Sequence, residues 1–85
     1  MSKLDVVLAR DVWKDVEAGT EALVEGWLVG EGDAVTEGQP LATVVLVKAN
    51  YELLAPAAGV IDKILIAAEQ TFAQDQPLAV MRVAT

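Results

Sequence analysis

Apolar residues in this chain come in short runs, parted by glycine, proline and acidic residues at nearly regular intervals. Runs of this length, rich in β-branched residues and bounded by turn formers, read as strands. Leu4 to Ala9 predicts a first strand with Val6-Val7-Leu8 at its centre. Arg10 to Thr20 breaks the pattern, and its mixture of Val12, Trp13 and Val16 with Asp11, Lys14, Asp15 and Glu17 fits either a helical turn or a loop; we read it as a surface loop. Glu21 to Val29 predicts a second strand, in which the two-residue period puts Leu23 and Trp27 on one face. Gly30-Glu31-Gly32-Asp33 is a turn, Ala34-Val35 a very short strand, and Thr36 to Pro40 a second turn.

The chain then centres on a hairpin. Leu41 to Val47 forms its ascending arm and Asn50 to Ala55 its descending arm, with Lys48-Ala49-Asn50 the one polar interruption at the tip. Pro56 cannot donate to a ladder and marks a strand end. Gly59 to Ala68, a short strand near Phe72, and Leu78 to Val83 complete about eight strands with no long helix. This pattern predicts an all-β sandwich or barrel.

An internal repeat organises these elements. Gln39-Pro40-Leu41-Ala42 recurs as Gln76-Pro77-Leu78-Ala79, 37 positions on. Residues 22–44 align with 59–81 at that offset without a gap. The second unit has Glu69 and Asp75 where the first has Gly32 and Gly38. Aspartate tolerates left-handed backbone; glutamate does so less readily, which points to a turn of different shape at Glu69.

Composition narrows the chemistry. Eighty-five residues enclose one core, so residues 1–85 are read as one domain. Cysteine and histidine are absent, which removes disulfides, thiolate metal sites and the commonest general base. The net charge of −7 disfavours nucleic acid. No apolar run approaches the roughly 20 residues of a membrane-spanning helix, and the N-terminus lacks the apolar segment of a signal peptide. These features predict a protein that is not secreted and is not itself an enzyme. An isolated exposed lysine is ordinarily just a solvated charge; one at a hairpin tip between two repeated units is a candidate functional group.

In order around Lys48 stand Glu25-Gly26-Trp27-Leu28-Val29, Glu31-Gly32-Asp33-Ala34-Val35, Gly38-Gln39-Pro40-Leu41-Ala42, Val47-Lys48-Ala49 and Ala55-Pro56-Ala57-Ala58-Gly59-Val60-Ile61. Together they resemble a lipoyl domain of the biotinyl/lipoyl-carrier superfamily, as in the dihydrolipoamide acyltransferase of 2-oxo acid dehydrogenase complexes. The resemblance implies a flattened barrel-sandwich hybrid of two four-stranded antiparallel sheets related by a pseudo-twofold axis, with the chain ends side by side. It implies covalent lipoate on Lys48 and a swinging arm that shuttles acyl groups and reducing equivalents. The partners implied are a lipoate ligase or lipoyl transferase, a 2-oxo acid dehydrogenase, the acyltransferase core and dihydrolipoamide dehydrogenase. The location implied is bacterial cytoplasm or the mitochondrial matrix. Partner recognition falls on Val47 and Ala49 beside the lysine, and on Trp13 and Asp15 in the loop after the first strand. The alternative for Trp13 is that its ring folds over the core.

One stretch departs from the family. Lipoyl domains of dehydrogenase complexes carry a Glu-Thr/Ser-Asp-Lys-Ala pattern, whereas this chain has Val45-Leu46-Val47-Lys48-Ala49. The alternative readings are a biotin carrier domain of a carboxylase, whose lysine has methionine on both sides, and an unmodified interaction module of the same fold.

Overall fold

In β4 (Pro40–Leu46) Ala42, Val44 and Leu46 are buried, while Thr43 and Val45 between them are only partly covered. That alternation is the period of a strand with one face on a core. The computed structural model describes residues 2–14 and 16–83. The other strands are β1 (Ser2–Val6), β2 (Ala22–Trp27), β3 (Ala34–Val35), β5 (Ala49–Leu54), β6 (Gly59–Ile64), β7 (Thr71–Phe72) and β8 (Ala79–Val83). They form two antiparallel four-stranded sheets, ordered β1-β8-β6-β3 and β5-β4-β2-β7. The result is an open two-layer sandwich, as the strand pattern predicts. Val24, Val44 and Leu53 from one sheet and Val6, Ile61 and Met81 from the other are fully buried in a largely aliphatic core. Among the described residues no helix is long and apolar enough to cross a membrane.

The sequence repeat is a repeat of hydrogen bonds. β6 and β7 start and end 37 residues after β2 and β3. Each unit has a bulge at the same place, between Val24 and Gly26 against β4 and between Ile61 and Lys63 against β8. Gly32 donates its N–H to the Ile61 carbonyl at 2.7 Å, and Glu69 donates to Val24 at 2.6 Å. The side chains of Gln39 and Gln76 accept from the N–H groups of Thr36 and Ala73, at 3.0 and 2.9 Å. β1 meets β8 in the register in which β5 meets β4, so that Ser2 faces Val83 as Ala49 faces Leu46. The described chain ends thus lie side by side.

Several local expectations need correction. The first strand begins earlier and ends at Val6. Leu8 leaves the ladder to enter the core while Val7 stays half exposed. Arg10–Trp13 is a 3₁₀ turn rather than a plain loop; four residues are too few for a helical period to stand out. The bulge at Glu25 reverses the alternation within β2. Leu23 is therefore exposed and Val24 buried, and Trp27, opposite Ala42, shares the inward face with Val24 instead of Leu23. Gly59 meets a different demand, for a side chain there would strike the backbone carbonyl of Arg82 on β8.

The turn at Glu69 is not differently shaped. Its φ of 71° matches Gly32 at 90°, as Asp75 at 66° matches Gly38 at 81°. The ladder bond to Val24 holds the residue there, so pairing outweighs local preference. Left-handed backbone costs a non-glycine residue about 1–2 kcal/mol, offset in part by the extra chain entropy of glycine. Glu69→Gly should therefore stabilise by about 0.5–1 kcal/mol, measured by urea unfolding. Asp75→Gly should gain less, because aspartate tolerates this region and the variant loses the exposed Arg10–Asp75 ion pair at 3.1 Å. A larger gain at Asp75 would contradict this ordering.

Candidate functional site

The β4–β5 hairpin closes in two residues. Leu46 faces Ala49 across the ladder, leaving Val47 and Lys48 as the turn. Ala49 and Asn50 belong to β5, so the tip lies one residue earlier than the polarity of the sequence indicates. Val47 has φ 60°, and Lys48 is not among the residues of positive φ. Positive φ at the first turn residue alone is the sense of a type II′ turn, whose twist suits a hairpin and whose usual occupant is glycine. A β-branched residue there is a strained choice, costing on the order of 1–3 kcal/mol. The ladder beneath supplies the constraint, through consecutive pairs from Thr43–Glu52 to Leu46–Ala49.

This geometry presents the Lys48 amine at the hairpin tip. Lys48 is exposed at the tip, and among the described residues no carboxylate lies within ion-pair distance of its Nζ. The other lysines sit differently. Lys3 lies on β1 and pairs with Asp62 at 3.4 Å. Lys14 follows the 3₁₀ turn, and Lys63 stands at the β6 bulge. The described residues contain neither a ligand-sized pocket nor a cluster of three metal-binding side chains.

The predicted site residues do not all gather at the tip. Val47, Lys48 and Ala49 are consecutive there, and Val47 is 69% exposed. Trp13 is 4% exposed. Its ring meets Phe72 edge to face, with centroids 5.9 Å apart at 80°, and its Nε1 is buried without an acceptor among the described residues. The ring is therefore core, which removes it from the surface a partner would meet. Asp15 lies outside the described residues. Trp27 is half-buried and donates its Nε1–H to the Ile66 carbonyl at 2.8 Å, a bond between the two repeat units.

The sequence reading missed the outer face below the tip. Val45 lies beside Leu23 there, in a row from Asn50 through Val45 and Leu23 to Thr71. The signal was present in the β4 alternation, which turns Val45 outward, but the bulge in β2 concealed Leu23.

Comparison with known proteins places this geometry in context. The biotin/lipoyl family model, described as "Biotin-requiring enzyme", matches residues 14–81. No curated protein matches the chain. Among solved structures, the lipoyl domain of the 2-oxoglutarate dehydrogenase complex from Azotobacter vinelandii superposes with a TM-score of 0.75 at 22% identity, over 96% of this chain and all of that one. A single-chain, multi-domain long-chain acyl-CoA carboxylase superposes with a TM-score of 0.66 at 24% identity, over 85% of this chain and 8% of that one. At such identities these likenesses concern the fold.

Proposed function

The chain belongs to the biotin/lipoyl family, and from that membership we propose that it is a carrier domain with Lys48 as the site of covalent lipoyl attachment. One observation carries the reading. Lys48 is the one lysine among the described residues that lies in a two-residue hairpin turn, between the paired Leu46 and Ala49. A fixed backbone beneath a flexible stem lets an attaching enzyme select one amine and lets the loaded arm sweep through solvent.

The residues present suit such a group. In its deprotonated form the Lys48 Nζ attacks the carbonyl carbon of an activated lipoate. A C–N bond forms, the bond to the activating group breaks, and the nitrogen sheds a proton to solvent. The product is a neutral amide, so Lys48 gives up its charge. When bound, the group supplies the thiol chemistry, which a chain without cysteine cannot supply itself. The domain contributes position and high local concentration. The partners fitting this role are a 2-oxo acid dehydrogenase, its acyltransferase core and dihydrolipoamide dehydrogenase. The greater share of this chain covered by the lipoyl-domain likeness, and Ala49 after the lysine, favour lipoate. The apolar Val47 and the carboxylase likeness keep biotin as the second reading.

Intact mass after parallel incubation with a lipoate ligase and a biotin ligase, each with its cofactor and ATP, separates the two. The expected result is one lipoyl-sized increment with the first enzyme and none with the second. A biotin-sized increment in their place would move the chain to the carboxylase side.

A further inference from the structure

The pseudo-twofold gives this molecule an internal control, because each sheet occupies the other's place. On the outer face of the β1-β8-β6-β3 sheet, Asp62 pairs with Lys3 at 3.4 Å and Arg82 at 3.2 Å. Lys3 faces Arg82 across the ladder as Asn50 faces Val45 in the other sheet. Asp62 is the bulge residue of β6 as Glu25 is of β2. The same backbone site thus holds two cations and an acid in one sheet, and in the other keeps the acid and replaces the cations with Val45 and Asn50. Glu52, facing Thr43 beside Gly26, is a second acid on this face, as Asp5 facing Val80 is on the other. Neither Glu25 nor Glu52 has an ion pair among the described residues.

The face is also greasy. Val47 at the tip is 69% exposed and Leu23, beside Val45, 37%; Leu54 at 49% and Leu28 at 60% extend the apolar area but have counterparts on the other sheet's side in Val7 at 40% and Leu65 at 44%. Exposed apolar residues gathered on one face and edged with charge mark an interaction surface. A two-residue turn offers far less than the roughly 600–800 Å² per partner of a specific complex. An enzyme acting on Lys48 must therefore grip more than the tip, and the sheet that continues from the hairpin is the one that, among the described residues, lacks these ion pairs.

We propose that the outer face of the β5-β4-β2-β7 sheet is the docking surface for the enzyme that attaches the cofactor, through a partner surface that is apolar at its centre and basic at its rim. This rests on the reading of Lys48 as the attachment site. The net charge of −7 steers a basic partner toward this domain. It disfavours a second copy, which would set Glu25 and Glu52 against their own kind.

The test grafts one sheet's chemistry onto the other. Val45→Arg with Asn50→Lys recreates beside Glu25 the cluster of Lys3, Asp62 and Arg82. With a purified lipoate ligase, KM for the carrier should rise at least tenfold while kcat holds. The opposite exchange, Arg82→Val with Lys3→Asn, should leave KM unchanged. Alongside, amide signals of the parent are followed by NMR as unlabelled ligase is added, and shifts should fall on Leu23, Glu25, Val45 and Glu52. An unchanged KM in the folded graft, or shifts confined to the other sheet, would overturn the docking face and leave Lys48 as the site. Shifts on this face with no modification would keep the face and sink the attachment reading. Neither shifts nor modification would sink both. Shifts that appear on concentrating the protein alone would assign the face to a second copy and overturn the proposal.

Discussion

Phe72→Ala should unfold this domain or bring it to the edge of unfolding. Phe72 is 1% exposed, although it lies in a strand of two residues opposite Ala22. Its ring fills the core beneath the Arg10–Trp13 turn and gives Trp13 its edge-to-face partner. Truncating a buried phenylalanine costs about 3–5 kcal/mol. A domain of this size has roughly 5–10 kcal/mol to lose. The short strand has no backbone ladder of its own to compensate, since it meets β2 only at Ala22 and Leu23. Thermal unfolding followed by circular dichroism should place the variant at least about 12 °C below the parent. Phe72→Leu, which refills most of the volume, should recover more than half of that loss. A melting temperature within a few degrees of the parent for Phe72→Ala would mean that the ring is not the keystone of that end of the core.

Substitution of Lys48 should have the opposite profile, with no structural cost and complete chemical loss. The side chain is exposed and unpaired among the described residues, so Lys48→Arg should keep the melting temperature within about 2 °C, as surface changes usually do. Arginine preserves the charge and nearly the length but does not form the amide. Its guanidinium stays protonated and is a poor nucleophile at neutral pH. Lys63→Arg makes the matched control, because Lys63 is also exposed but stands at a strand bulge. A carrier modified by position loses everything with the first variant and nothing with the second.

Most of this architecture was legible in the sequence because the repeat is written there. Gln39 and Gln76 recur because each closes the same turn with its side chain. The run of β-branched and apolar residues from Leu41 to Val47 marks the strand that β4 occupies, Pro40–Leu46. The repeat also aligned Glu69 with Gly32, yet local propensity argued against their equivalence; pairing to Val24 decided it. Two features resisted reading for physical reasons. A bulge shifts the strand period by one residue, and Glu25 carries no mark of it, so the two-residue period puts Leu23 and Trp27 on one face where the structure separates them. The exact turn of the hairpin was hidden because a valine at positive φ is locally disfavoured. Only the ladder on either side enforces Val47-Lys48 as the tip. Trp13 was open in the sequence, since an indole among acidic residues suits a recognition loop as well as a core lid. Its contact with Phe72 settles its place.

The most direct measurement of the central claim is the intact mass and peptide map of the parent, Lys48→Arg and Lys63→Arg, after incubation with a lipoate ligase, lipoate and ATP. The account predicts one lipoyl increment on the parent and on Lys63→Arg, mapped to the peptide containing Lys48, and none on Lys48→Arg. An increment that survives in Lys48→Arg, or that maps to Lys3, Lys14 or Lys63, would contradict it.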